Sequence, residues 1–417
     1  MTIAKHTTGT ATPAPVFTEL ESWVRMRVQQ FVQQILEEEV TSLVGREKSQ
    51  RREEIDAPAV YRNGYGKLRR LSMTSGTIEL RRPRVRGLEE RFESRILPLF
   101  VRRTSEVSDL LPELYLHGLS QGDFELALRG LLGEGAPLSA SSIARLKEKW
   151  QAEYEAWRTR DLSGLEVVYL WVDGVYVKAG LEKEKACLLV ALAGLSDGTK
   201  VFVALECGYR ESTESWGALL RGLRDRGLGA PKLVVGDGHL GIWSALAQVW
   251  PESDTQRCWN HKLMNVLDRI PKKKRAHARM LLKAIPASET RHAAETAREK
   301  FAAWCRKNGF ERASEILAQD WERMMAFYAY PKAHWMHLRT SNTIESPFAF
   351  VRLRTDASKR YKKAENATAI IWKTMMVAER TFRRLRAPEL MLSVAAGARF
   401  ADGEKITRTV AIRGAAA

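Results

Sequence analysis

The stretch Leu165-Glu-Val-Val-Tyr-Leu-Trp-Val-Asp173-Gly-Val-Tyr-Val177 constrains the fold most. Its density of β-branched and aromatic residues predicts a buried central strand. One carboxylate, Asp173, falls inside it. An ionised Asp among apolar neighbours is costly unless something pairs with it, and a metal ion is one such partner. The competing reading is a tight turn, because Asp-Gly between alternating apolar residues is also a strong hairpin signal. The remainder of the chain has to decide between the two.

At 417 residues the chain has room for about two to four domains. Lys and Arg number 67 against 50 Asp and Glu, a formal net charge of +17. That surplus points to a polyanionic partner, and nucleic acid is the expected one. No apolar run approaches the ~18 residues that a bilayer span needs. Met1 to Pro15 is rich in Thr, Ala and Pro and lacks the apolar core of a secretory signal. The four cysteines, Cys187, Cys207, Cys258 and Cys305, are scattered and form no framework, so a reducing cytoplasm is expected.

Residues 1–16 read as a disordered N-terminus. From Phe17 to Val44 apolar residues recur at three- and four-residue steps, which predicts an amphipathic helix ended by Gly45. The 17–56 segment is a candidate for dimerisation, with intramolecular packing as the alternative. Residues 57–104 form a basic, β-containing module: turns at Tyr61-Arg-Asn-Gly64 and Ser75-Gly76, and strands over Gly66–Met73 and Thr77–Val85. Within 61–103 lie eleven Arg and one Lys against four Glu. Arg suits bidentate phosphate contacts, so a DNA-facing module is favoured over a merely solvated face. Residues 105–160 predict three helices: Ser105 to Leu116, Asp123 to Leu132, and one capped by Ser139 and running through Ile143, Leu146 and Trp150. This order is helix-turn-helix-like, although many small bundles share it.

The chain then turns α/β over 161–269. Strands are predicted at Leu165–Val177, Lys185–Ala193 and Lys200–Cys207, the last two joined by Ser196-Asp197-Gly198-Thr199. A helix over about 213–226, a strand over Lys232–Gly236, a helix over Leu240–Val249 and a short strand over Asp254–Arg257 follow. Residues 270–335 are wholly helical in pattern, too long a block for a connection within one α/β domain, and read as an inserted helical domain. Its first part is basic, with no acid in 270–285. Residues 336–386 return to the core with a helix through Val351 to Thr355, and 352–386 holds eleven Arg or Lys against three acids. Residues 387–417 are a C-terminal tail with a strand-like piece at Arg399–Arg408. The fold class is therefore multi-domain: an α/β core with an all-α insertion, preceded by helical and small β modules.

Three acids stand out: Asp173 in the first core strand, Asp237 at the end of a later one, and Glu345 at a helix start. Three antiparallel strands followed by helix–strand–helix is the ribonuclease H-like order, in which the first and fourth strands are neighbours. Asp173 and Asp237 would then lie side by side, and a helix laid on the sheet can bring Glu345 to the same place. Converging like charges repel unless a cation sits among them. Each acid has a plainer reading: Asp237 as a loop residue, and Glu345 as the partner of Asn342 in a capping box.

In combination, these stretches resemble the Mutator-type transposases of bacterial insertion sequences. The resemblance is carried by Tyr169-Leu-Trp-Val-Asp173-Gly-Val-Tyr, Leu233-Val-Val-Gly-Asp237-Gly-His239, Gln256-Arg-Cys258-Trp-Asn-His261-Lys, Phe327-Tyr-Ala-Tyr-Pro331 and Leu338-Arg-Thr-Ser-Asn342-Thr-Ile-Glu345. It spans roughly residues 105–390 and is looser outside them. It implies an Asp-Asp-Glu triad, Asp173, Asp237 and Glu345, binding Mg²⁺ (with Mn²⁺ able to substitute) on a ribonuclease H-like fold. Cys258 and His261 would be the family's Cys-x-x-His feature beside the second acid. Two residues depart from the family: Thr343 stands where Pro is usual, and Pro347 where a longer polar residue is. Pro347 predicts a helix beginning near Ser346, with Glu345 at its lip. Two ligands do not make a structural zinc site, so Cys258 and His261 are read as hydrogen-bonding supports of the active site. His239, Arg339, Asn342, Arg352, Arg354, Arg81, Arg82, Arg84 and Arg145 are candidate DNA contacts, His239 equally an ordinary loop histidine.

The expected function is that of a DNA transposase. It would bind terminal inverted repeats in double-stranded DNA, cleave with Mg²⁺ and join the 3′-hydroxyl to target DNA. A homodimer or larger assembly would hold two ends, in a bacterial cytoplasm in association with the nucleoid. The rivals are a ribonuclease H-like nuclease without strand transfer and a transposase-derived DNA-binding regulator without catalysis. The first would not need binding modules ahead of the core; the second would have lost an acid.

Overall fold

In a computed structural model, the structure describes residues 16–50, 60–119, 127–129, 132, 140–178, 185–208, 212–238, 240–357 and 364–406. Two compact units are present, Met1–Tyr115 with Leu119–Arg145, and Leu116–Gly118 with Leu146–Ala417.

The first unit is built on one long helix and one hairpin. Helix α1 (Leu20–Val44) ends at Gly45, whose φ of 70° lets its N–H reach back to the Thr41 carbonyl at 2.8 Å. Strands β1 (Tyr61–Met73) and β2 (Gly76–Arg86) pair antiparallel. Val28, Val32 and Leu36 of α1 pack on Leu71, Ile78 and Leu80 of the hairpin, while Phe17, Val24 and Phe31 stay exposed. The expected turn at Tyr61–Gly64 is instead part of β1. Pairing with β2 continues past it through register shifts between Arg62 and Tyr65 and between Tyr65 and Leu68, and Gly64, with φ 63°, absorbs the irregularity. After β2 the chain folds back along β1, where the Ser72 N–H meets the Arg102 carbonyl and the Thr104 N–H meets that of Ser72. Helix α2 (Ser105–Leu116) follows. Of the predicted helix over 123–132, residues 127–129 and 132 are described and are helical; the Gly135–Pro137 turn and Ser139 lie outside the described residues. Helix α3 (Ala140–Arg158) runs eight residues past Trp150.

The second unit is a layered α/β body. Its strands are β3 (Val167–Lys178), β4 (Lys185–Leu195), β5 (Lys200–Gly208), β6 (Leu233–Gly236) and β7 (Asp254–Arg257), with spatial order β5-β4-β3-β6-β7. β3, β4 and β5 are antiparallel neighbours, and β6 and β7 run parallel to β3. Asp173 and Gly174 therefore lie mid-strand, opposite Val190 and Leu189, and are not a turn. The true turn is Ser196–Gly198, where Asp197 Oδ1 accepts from the Thr199 N–H at 2.8 Å. Helix α4 (Thr213–Asp225) is capped by Ser212, whose hydroxyl accepts from the Ser215 N–H, and α5 (Leu240–Val249) follows β6.

Alternation along β3 divides the sheet faces. Leu170 and Val172, with Ala191, Val203 and Val234, pack against Trp216, Leu219 and Leu223 of α4 and Ile242 and Leu246 of α5. Tyr169 and Trp171 point the other way. The Tyr169 hydroxyl meets His334 Nδ1 at 2.8 Å, and Trp171 Nε1 donates to the His337 carbonyl at 2.9 Å. Between β7 and residue 339 all described secondary structure is helical: α6 (Trp259–Leu267), α7 (Arg275–Ala287), α8 (Arg291–Asn308), α9 (Glu311–Ala318), α10 (Trp321–Met325) and α11 (Trp335–Leu338), with short 3-10 turns. Helices α12 (Asn342–Ala357) and α13 (Ala364–Glu379) return, α12 against β3 and α13 against β5. Glu379 of α13 accepts the Phe202 N–H at 2.5 Å. Last come α14 (Glu389–Ala395) and the small hairpin β8 (Phe400–Ala401) with β9 (Glu404–Lys405).

Leu170 is fully buried on the shared face, whereas Met336 is 60% exposed. Leu170→Ala should cost about 2–5 kcal/mol in denaturant unfolding, and Met336→Ala no more than about 0.5 kcal/mol. Equal losses would mean that the sheet face is not the core.

Candidate active site

The register of β3 against β6 fixes the first two acids. Trp171 lies opposite Val235, and Asp173 and Asp237 each follow two residues later. Asp173, within β3, is thus level in register with Asp237, the residue just past the end of the adjacent parallel strand β6. Glu345 sits in α12, which packs on β3. Burial pushes the Asp173 carboxyl up to about 7; the Gly174 N–H, bonded to it at 2.8 Å, opposes this, and the charges of Glu345 and Asp237 add to it. The structure thus brings the three predicted acids to one end of the sheet.

The turn after Asp237 is built for a neighbour. Gly238 has φ 101°, and a Cβ there would sit 2.7 Å from the Arg257 Cζ. Arg257 is held in turn by Asp320, itself at φ 61°, which also takes Arg323 at 3.2 Å and lies 3.8 Å from the buried Lys262. Burial and the charge of Arg257 push Lys262 down to about 8, and its ammonium donates to the Gln319 carbonyl at 2.6 Å.

Cys258 and His261 stand between the second and third acids. The Cys258 N–H donates to the Gly236 carbonyl at 2.7 Å, and its sulfur accepts the Ser341 N–H at 3.2 Å. The Ser341 hydroxyl donates to Glu345 Oε1, with His261 Nδ1 3.9 Å from the same oxygen. A hydrogen bond with Cys258 drives His261 up to about 9 against burial. Burial lifts the Cys258 thiol, but the bonds from His261 and Ser341 outweigh it and hold it below its ordinary value. Among the described residues, the metal-capable side chains gathered within 4.8 Å of one another are Cys258, His261 and Glu345. Asp173 and Asp237 lie near enough for their charges to be felt there.

Glu345 departs from the expected capping box. Ser341, not Asn342, precedes the first helical residue, and α12 begins four residues ahead of Ser346, with Pro347 inside it. Glu345 is therefore within the helix rather than at its lip.

A model of the family described as "Transposase, Mutator family" matches residues 6–383. The chain belongs to that family. Among relatives, the transposase for insertion sequence element IS6120 of Mycolicibacterium smegmatis is 45% identical over 302 residues, 72% of this chain and 93% of that protein. The transposase for IST2 of Acidithiobacillus ferrooxidans is 37% identical over 279 residues, 66% and 94% of the two chains. That for ISRM5 of Rhizobium meliloti is 28% identical over 377 residues, 89% and 91%.

In this Mutator-family chain the other candidate residues part company. His239 lies outside the described residues. Arg339 stacks on Phe327 and Trp335, at 5.1 and 5.3 Å from the ring centres, and its carbonyl accepts the Trp259 N–H. Asn342 is exposed and bonds Asn260 at 2.8 Å; Arg352 is exposed. Arg354 is 2% exposed and so does not face solvent. It follows Ile344, Phe348 and Val351 on the inward stripe of α12. Arg145 is exposed, and its charge acts on Arg103.

Arg82 and Arg84 line a cleft of about 870 Å³ in the first unit, with Lys67, Arg69, Arg91 and Arg102. Arg81 is exposed on the same strand, its backbone tied to Gln33 of α1. Arg69 is lowered by burial and by the charges of Arg82 and Arg102, and it donates to the Pro98 and Val101 carbonyls. One buried nitrogen of Arg82, Nη1, has no partner. Phe100, 89% exposed at φ 68°, stands at the rim. Sequence reading missed Arg69, Arg91 and Arg102 as cleft residues, and Ser341 and Arg257 as supports. Ser341 was findable four residues before Glu345, one helical turn away; Arg257 carried no local signal.

Two outcomes test the site. Because Asp173 is raised from 3.8 to about 7, the unfolded chain binds fewer protons there between those pH values, so stability falls as pH climbs through them. Asp173→Asn should accordingly raise the unfolding free energy in EDTA by about 1–3 kcal/mol at neutral pH, the gain vanishing below pH ~4. A pH-independent difference would contradict the burial. Gly238→Ala should strain the turn and displace Arg257, costing about 1–3 kcal/mol in a thermal melt; a neutral effect would show that the turn tolerates a side chain.

Proposed function

We propose that this chain is a DNA transposase that binds the terminal inverted repeats of an insertion sequence, cleaves at the element ends and transfers the liberated 3′-hydroxyl to target DNA. What carries the reading is the convergence of Asp173, Asp237 and Glu345 from three separate elements on one end of the sheet. The strand order, with β3 beside β6, supports a ribonuclease H-like core. The presence of all three acids favours an enzyme over a binding protein derived from one.

The chemistry of the donors fits a hard divalent cation: all three are carboxylates, and one of them is raised by burial and by the charge of the other two. Asp173, Asp237 and Glu345 would hold Mg²⁺, with Mn²⁺ able to substitute. When bound, such ions activate the attacking oxygen and stabilise the leaving oxygen of a phosphodiester. The chain's own residues supply the positions. The Gly174 N–H fixes the Asp173 carboxylate, Arg257 braces the turn after Asp237, and Ser341 holds Glu345. Water is the first nucleophile and the 3′-hydroxyl the second, so no protein–DNA bond is needed.

The arginine cleft beside the β1–β2 hairpin is the DNA-holding surface in this reading, since crowded guanidinium groups call for anions. Joining two ends in one event requires a dimer or larger assembly, and the exposed residues of α1 are its candidate contact. Among the described residues no helix is long and apolar enough to cross a membrane.

The direct test is incubation with an oligonucleotide carrying the element's own ends and Mg²⁺, read as cleaved strand on a gel. Ala at Asp173, Asp237 or Glu345 should abolish cutting and leave DNA binding intact. A folded Asp173→Asn protein that cuts at the normal rate would falsify the metal role. Arg82→Ala and Arg102→Ala should each weaken binding about tenfold and reduce the slope of log affinity against log salt by about 1. An unchanged slope would move the DNA elsewhere.

A further inference from the structure

We propose that Cys258 and Ser341 act as positioning residues, forming a bracket that sets the carboxylate of Glu345 against the strand end bearing Asp237. The inference rests on the three-acid reading above and adds how the third acid is placed. Three consecutive hydrogen bonds make the bracket. The Cys258 N–H donates to the carbonyl of Gly236, the residue before Asp237; the Ser341 N–H donates to the Cys258 sulfur; and the Ser341 hydroxyl donates to Glu345 Oε1. Two flanking bonds hold the same segments together, Trp259 N–H to the Arg339 carbonyl at 2.9 Å and Asn260 Nδ2 to Asn342 Oδ1 at 2.8 Å.

Burial makes the bracket stiff. Cys258 and Ser341 are both fully buried, so neither has water to exchange for these partners. A serine hydroxyl has one proton, and here it is committed to Glu345. His261 Nδ1 lies 3.5 Å from the Ser341 hydroxyl and 3.9 Å from the same Glu345 oxygen, so it borders the bracket. Glu has three side-chain torsions, and a helix position alone does not select among them. Groups of this kind, one bond removed from a ligand, commonly alter metal affinity by about 10–100-fold when removed.

The test is Mn²⁺ binding to the full chain by isothermal titration calorimetry, run beside thermal melts and the Mg²⁺ concentration that half-saturates cleavage. Ser341→Ala loses only a hydroxyl and should melt near the parent temperature. It should bind Mn²⁺ about 10-fold or more weakly and need correspondingly more Mg²⁺. Cys258→Ala should do the same, and Cys258→Ser and Ser341→Thr should recover most of the affinity, because each keeps the group that makes the bond. A folded Ser341→Ala protein with parental Mn²⁺ affinity overturns the bracket. So does stoichiometric Zn²⁺ in chain purified without chelator and lost in His261→Ala, since Cys258, His261 and Glu345 would then be ligands of their own ion. Glu345→Ala separates the two levels. If it binds Mn²⁺ as the parent does, the three-acid reading falls and the bracket with it; if it loses Mn²⁺ while Ser341→Ala keeps it, the bracket alone falls.

Discussion

Negative charge gathered inside an apolar sheet end is the constraint on which the second unit depends. Asp173 sits on the central strand, near the buried Val172 and Val175, with a second acid just past the end of β6 and a third on the helix packed against the strand. Such a cluster opposes folding unless it is held rigidly or neutralised. The surroundings do the holding. Tyr169 and Trp171, on the same face as Asp173, bond into the 334–337 segment just before α12, so the strand and the Glu345 helix are tied side by side. Burial of Gln256, whose amide bridges the Met324 carbonyl and the Phe327 N–H, ties the outer strand to the helices as well.

A second layer of support uses backbone that most residues cannot adopt. Gly238 and Asp320 both occupy the left-handed region, and Arg257 spans between them. The hub at Asp320 collects Arg257 and Arg323, with Lys262 close by, so strain there is offset by charge pairing. Lys262, though fully buried, has both a carbonyl and a carboxylate within reach, which lets a cation persist where desolvation would otherwise neutralise it.

Much of the second unit was legible because its signals are local. β-branched runs marked β3 and β6, α5 and β7 have the bounds the pattern suggests, and Asp197-Gly198 stood between two complete strands. Asp-Gly occurs four times, at 173, 197, 237 and 402, and the dipeptide alone cannot tell mid-strand from turn from strand end. Only the completeness of the flanking strands did. What stayed hidden depends on partners distant in sequence. Gly64 reads as a turn until its strand finds β2; the cleft needs residues 98–104 folded back over β1; Arg257 makes sense only beside Gly238 and Asp320. The start of α12 was misread for a different reason. An Asn three residues before a Glu is a plausible box, and Pro347 argues for a later start, but the helix already begins at Asn342, directly after Ser341, and tolerates the proline.

The β8–β9 hairpin is not an idle tail. The Lys332 N–H bonds to the Gly403 carbonyl and the Gly403 N–H to that of Tyr328, while Asp402 accepts the first helical N–H of α8 at Arg291. Residues 402 and 403 thus close the helical block that separates the second acid from the third. A nascent chain that already carries all three acids still lacks this clasp, so the block can close only after residues well beyond Glu345 have been made.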